Sequence, residues 1–285
     1  MQYLTPCFSR VKRKIFQIDK GFLGTYNGHK GVDDMKMVLL TALGVGGATV
    51  VGSILGFIFK KISHRFSDIV LAFAAGVMLC AAVTGLILPS LEYDNSIPLL
   101  IPIAGIFCGA IFLNLLDKLV PHLHRLAGVD HEAHPEDSAK LNKILLFVMA
   151  IAIHNLPEGI AAGVGFGSGN DAHAISIAAG IALQNIPEGM VIIGPMLAAG
   201  MSPTRTFLCA LATGVVEVIG TLLGYFAVSI SSAILPFALA FAGGTMLYVI
   251  SDEMIPETHH NEAQGVTYAL LIGFCLMLAM GYFLE

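Results

Sequence analysis

The sequence predicts an all-α integral membrane protein of about eight transmembrane helices. Hydrophobic residues make up 56% of the 285-residue chain and charged residues only 12%, against about 25% charged in a typical soluble domain. Mean hydropathy is +0.80. Apolar stretches recur along the chain, each long enough to cross a hydrocarbon core roughly 30 Å thick. The lipid bilayer is therefore the first predicted partner.

The spans fall in order as follows. A basic tail, residues 1–36, carries Arg10, Lys12, Arg13, Lys14, Lys20, Lys30 and Lys36 but no long apolar run; it reads as a mobile extension, with Met35 and Met37 as alternative starts. The transmembrane domain occupies 37–285. Its first three spans are 37–59, 69–91 and 97–116. A polar, histidine-bearing loop, 117–143, separates them from the fourth span at 144–166 and the fifth at 174–199. Ser202 followed by Pro203 reads as a helix N-cap and first helical position, opening a sixth span that runs to 229. The seventh covers 233–251, a polar turn follows to 264, and the last span is 266–283.

Loop charge orients the bundle. Lys60, Lys61 and Arg65 follow the first span, Lys118, Arg125, Lys140 and Lys143 the third, and Arg205 the fifth. The loops after the second and fourth spans hold Glu92, Asp94 and Asp171 with no Lys or Arg. The positive-inside rule makes the first set cytoplasmic, which leaves both termini outside; the basic tail argues the other way, and three concordant loops outweigh it. Other classes are excluded by what is missing. The five scattered cysteines form no CxxC pair and read as small apolar packers. No basic patch with interleaved aromatics suggests nucleic acid, and no GxxxxGK loop suggests a nucleotide site.

The chemistry lies in polar residues inside apolar spans. Glu158, Glu188 and Glu217 all fall near span centres, where one ionisable residue costs roughly 2.5–3.5 kcal/mol on insertion scales. No Lys or Arg shares that depth, so protons, water or a bound cation must compensate. Spacing favours a metal: His154 and Glu158 are four apart on one helical face, as are Gln184 and Glu188. Imidazole nitrogen with carboxylate oxygen suits Zn²⁺ or a neighbouring first-row ion. Pro157 and Pro187 each free a carbonyl one turn back, at Ile153 and Leu183, and predict kinks in the fourth and fifth helices. Gly159 and Gly189 allow another backbone to approach. His154-Asn155-Leu156-Pro157-Glu158-Gly159 and Gln184-Asn185-Ile186-Pro187-Glu188-Gly189 thus form one repeated unit in consecutive spans, the pattern of broken helices that marks transporter binding sites.

At these residues the chain resembles the ZIP (Zrt/Irt-like protein) family of divalent metal transporters, particularly its GufA-like bacterial branch. The two hexapeptides match the family's fourth- and fifth-helix signatures. Thr213 to Glu217 resembles the sixth-helix acidic segment, Ser251 to His259 the cytoplasmic end of the seventh helix, and Ala75 to Leu79 the second-helix stretch that supplies a methionine. The resemblance implies a ZIP-type eight-helix bundle in a bacterial inner membrane, moving metal toward the cytoplasm by alternating access as one helix group slides against the other. It implies a binuclear centre: a first metal held by Met78, His154, Glu158, Gln184 and Glu188, and a second held by Asn155, Asn185 and Glu217, with Glu158 and Glu188 bridging. Asn185 stands where some members have aspartate, which removes a charge from the second position, and Asp252 where some have histidine. An exit site is implied at Asp117, His122, His124, Asp252 and Glu253; His131 and His134 read as solvated loop residues.

Zn²⁺ is the favoured cargo, with Cd²⁺, Fe²⁺ and Mn²⁺ left open, as are the driving ion and the oligomeric state, a homodimer included. Two other readings share the ligands. An intramembrane metal-dependent hydrolase would use the His-x-x-x-Glu pair, although HExxH is absent. A channel-like pore would conduct without alternating access.

Overall fold

Apolar runs of this length must satisfy their backbone polar groups internally in lipid, and helices do so. The computed structural model describes residues 32–59, 63–93, 99–126, 149, 152–198, 200–259 and 265–284. Within them every regular element is helical. Helix α1 is Val32–Ile58, α2 His64–Ser90, α3 Leu100–Leu126 and α4 152–165. Helix α5 is Asp171–Val191, continued by a short turn of helix at Ile193–Ala198. Helix α6 is Pro203–Ile230, α7 Leu235–His259 and α8 Val266–Leu284. Seven of them are long and apolar enough to span a bilayer; α4 is shorter within the described residues.

Helix starts follow ordinary capping chemistry. Ser202 accepts a hydrogen bond from the Arg205 N–H, with Pro203 in the first turn, as its sequence predicts. Ser63 does the same for α2 and Asn170 for α5. Two helices widen into π-helix part-way: α2 at Ala81–Ile87 and α7 at Ile250–Met254.

Three boundaries differ from expectation. Helix α1 begins at Val32, so Lys36 belongs to it and not to the tail. Helix α3 continues past 116 to Leu126, placing Asp117, His122 and His124 on a helix where a loop is predicted. Helix α7 likewise runs through Asp252 and Glu253 to His259 in place of a polar turn. The reason is common to the last two: hydropathy ends where the hydrocarbon ends, but a helix need not. The 27 residues of α3 reach about 40 Å at 1.5 Å per residue, well beyond the apolar core. Residues 1–31, with most of the predicted tail, and His131 and His134 lie outside the described residues.

Helix α1 packs on α5 and α6, α2 on α8, and α3 on α7, while α4 lies against α6. The buried core draws mainly on α2, α4, α5 and α7, with Met78, Leu86, Ala161, Ala162, Ile177, Ile181 and Met246 inside it. Outward faces are apolar too: Leu40, Leu43, Phe107, Ile111, Leu223 and Ile272 are all exposed. Such a belt would be an aggregation liability in water and is what lipid requires.

Candidate metal centre

Polar side chains buried in this bundle come mainly from the two motifs and the helices beside them. Glu158, Gln184, Asn185, Asn155, Glu217 and Thr49 are each buried almost completely. Helix α4 runs through Pro157 and α5 through Pro187, so the motif residues keep helical spacing. Glycine sets the distance between helices. A Cβ on Gly159 would strike the Glu217 carbonyl oxygen, and one on Gly189 the Thr49 carbonyl oxygen. With hydrogen there instead, α4 meets α6 and α5 meets α1 backbone to backbone, and the motif side chains converge.

They converge in two groups. In the first, Gln184 Nε2 donates to Glu158 Oε1 at 3.0 Å. Glu158 lies within electrostatic range of Glu188 and Glu217, and Glu188 within range of His154. Five buried polar atoms here lack a hydrogen-bond partner: His154 Nε2, Glu158 Oε2, Gln184 Oε1, Glu188 Oε1 and Asn185 Oδ1. Buried polar atoms are rarely left unpaired, because each costs roughly 1–3 kcal/mol. Four of them are oxygens with lone pairs to offer, whereas His154 Nε2 lies beside the Glu253 carboxylate. Met78 is wholly buried in the apolar cluster that also holds Ile153, Ala162 and Ile181. Among the described residues no three or more His, Cys, Asp or Glu side chains are placed to hold a metal ion by themselves, His154, Glu158 and Glu188 included.

In the second group Glu217 is the hub. Its Oε1 accepts from Thr49 Oγ1 at 2.6 Å and from Asn155 Nδ2, and its Oε2 accepts from Asn185 Nδ2 at 2.6 Å. Asn185 Nδ2 also lies 3.3 Å from the Val45 carbonyl oxygen.

A third cluster adjoins the first. His154 Nε2 lies 2.6 Å from Glu253 Oε2 on α7, at ion-pair distance. Asp117 on α3 is within electrostatic range of Glu253, Asp252 and His154. Asn114 Nδ2 donates to the Tyr248 hydroxyl at 2.8 Å and ties α3 to α7 beside them. The predicted exit residues Asp117, Asp252 and Glu253 are thus together; the side chains of His122 and His124 lie outside the described residues.

The sequence reading missed Thr49 and His173. A threonine inside an apolar span signals nothing by itself, because its hydroxyl can bond back to its own helix. His173 was placed just before the fifth span. It is buried in α5, with Nε2 3.0 Å from the Gly85 carbonyl oxygen in the π-helical part of α2.

Family comparison decides what this arrangement belongs to. The model of the ZIP zinc transporters matches residues 124–281. The zinc transporter GufA of Myxococcus xanthus is 39% identical over 249 residues, covering 85% of this chain and 96% of that protein. This chain belongs to the ZIP family. The zinc transporter ZIPB of Bordetella bronchiseptica is similar at 36% identity over 90% of this chain and 84% of its own length. The human zinc transporter ZIP11 is similar at 30% identity over 88% of this chain and 98% of its own. This ZIP protein is accordingly a multi-pass membrane transporter of divalent metal, not an enzyme, and the hydrolase reading is set aside.

Proposed function

We propose that this ZIP protein carries Zn²⁺ toward the cytoplasm of a bacterial cell across the inner membrane, by alternating access through one central ion position. Met78, His154, Glu158, Gln184 and Glu188 form that position. The observation that carries this reading is the set of unpartnered buried oxygens on three of these five residues, Glu158, Gln184 and Glu188. Imidazole and two carboxylates suit zinc and its first-row neighbours; Cd²⁺, Fe²⁺ and Mn²⁺ remain candidate cargoes. The relatives are named zinc transporters, which supports zinc as the physiological ion.

Two features support movement of one helix group against another. Backbone contacts across glycine join α1 to α5 and α6, and α4 to α6; others join α2 to α8 and α3 to α7. Where α5 meets α2 and α8, the contacts at Gly85 and Gly180 are instead with the flexible side chains of Ile177 and Met277. An apolar groove of 410 Å³, lined by Leu55, Pro187 and Met190 on one side and Phe73 and Ile272 on the other, opens along that seam. Side-chain seams slide; interlocked backbones do not. Downstream, His154 is the residue shared with the Asp117–Asp252–Glu253 cluster, so an ion leaving the centre meets carboxylates at the cytoplasmic end.

Proteoliposome uptake tests the site. His154→Ala and Glu188→Ala should each lower zinc flux at least tenfold at equal protein content. Undiminished flux in both would refute the assignment. Flux that saturates with metal concentration favours a carrier over an open pore.

A further inference from the structure

We infer that the Asn155–Asn185–Glu217 group is not a second metal position in this protein but a permanent hydrogen-bonded clamp, completed by Thr49, so that one ion occupies the transport centre at a time. The inference rests on the transport reading above and narrows it. Three observations on the same carboxylate carry it.

First, Glu217 is already satisfied. Thr49 and Asn155 donate to one oxygen and Asn185 to the other. Neither Glu217 oxygen is among the unpartnered buried atoms, whereas Glu158 and Glu188 each keep one oxygen free. Within the clamp only Asn185 Oδ1 lacks a partner, and it is a neutral amide oxygen; the carboxylate oxygens left free are those of Glu158 and Glu188. Second, the separations are those of hydrogen bonds. Ligands about 2.1 Å from a shared zinc stand roughly 3 Å or more apart, while the Thr49 and Asn185 contacts to Glu217 are 2.6 Å. Third, the residue types match donor to acceptor. Asn185 presents an N–H where an aspartate would present a second carboxylate, and an amide facing a carboxylate needs no cation between them. Hydrogen bonds to an ionised group are among the stronger ones.

The clamp joins one residue from each of four helices: Thr49 on α1, Asn155 on α4, Asn185 on α5 and Glu217 on α6. Glycine also brings these four helices into backbone contact, α1 with α5 and α6, and α4 with α6. Asn155 and Asn185 each stand next to a residue of the ion position, His154 and Gln184. The clamp thus sets where those ligands point without touching the ion, and its members are positioning residues.

Zinc bound per chain, measured by isothermal titration of the purified full-length protein in detergent, separates the alternatives. Each variant is compared with wild type, so that any zinc on the histidine-bearing segment cancels. Glu217→Gln should bind the same number of zinc ions as wild type, with a lower unfolding temperature. Asn185→Asp should bind one more, because two facing carboxylates then require a cation. Loss of one zinc in Glu217→Gln, or an unchanged count in Asn185→Asp, would overturn the clamp. Failure of the transport reading looks different: wild type and His154→Ala would then bind zinc equally.

Discussion

Thr49 shows how much a single hydroxyl can matter inside a membrane. A carboxylate at bilayer depth is costly, and among the described residues no cationic side chain pairs with Glu217. Three neutral donors share the task, and Thr49 is the one of them that lies on α1. Hydrogen bonds to charged groups contribute about 1.5–3 kcal/mol each. Thr49→Val keeps the shape and removes the donor, so thermal unfolding of that variant should show a loss of this order, and Thr49→Ser should recover most of it. Zinc affinity in Thr49→Val should fall less than in His154→Ala, because the hydroxyl never meets the ion. At this scale the candidate ligands were legible in the sequence, since a repeated Asn-x-Pro-Glu-Gly unit cannot hide in an apolar background. The donors around Glu217 were half legible: Asn155 and Asn185 stood out as motif members, but their pairing with Glu217 depends on three-dimensional approach. Thr49 was illegible, for nothing in its local sequence distinguishes it from a threonine bonded to its own helix.

Among helices, glycine placement decides which surfaces lock. Gly159 and Gly47 both sit in apolar helices, yet their surroundings are opposite. A methyl group on Gly159 would meet the Glu217 backbone, whereas nothing lies within 4 Å of one on Gly47. Gly159→Ala should destabilise by about 1–3 kcal/mol through overpacking and lower flux by pushing α4 and its ligands away from α6. Gly47→Ala should be neutral or stabilising by up to about 1 kcal/mol through helix propensity. Denaturation in detergent and uptake assays on the pair check this; equal effects at both positions would contradict the backbone-contact assignment. The helices themselves were readable from hydropathy and capping, but the ends of α3 and α7 were not. Asp117, Asp252 and Glu253 look like loop residues because charge ends the apolar signal. They are helical because the headgroup region tolerates charge on a helix that simply continues.

At the scale of the whole molecule, transport by sliding requires a seam that stays unbonded. Ile177 on α5 faces Gly85 on α2 across that seam. A Gly85→Cys, Ile177→Cys pair on a background lacking the native cysteines should stop zinc uptake when oxidised and recover it when reduced. Flux that persists in fully cross-linked protein would mean that these helices do not move relative to each other. The sequence predicted the bundle and its central site through hydropathy and the repeated motif. Which helices are locked backbone to backbone lies in the pairing of glycines with distant backbones, and that pairing is visible only once the chain is folded.

The Glu217 clamp also has a history within each molecule. Its donors are synthesised before its acceptor: Thr49 precedes Glu217 by 168 residues, Asn155 by 62 and Asn185 by 32. At about 5–20 residues per second, Thr49 waits roughly 8–34 s in the membrane before its partner is made. The costly carboxylate therefore enters last, into a nascent bundle where every group that will receive it is already present. The order of helices along the gene is, in this respect, an order of assembly that keeps a buried charge from ever being alone for long.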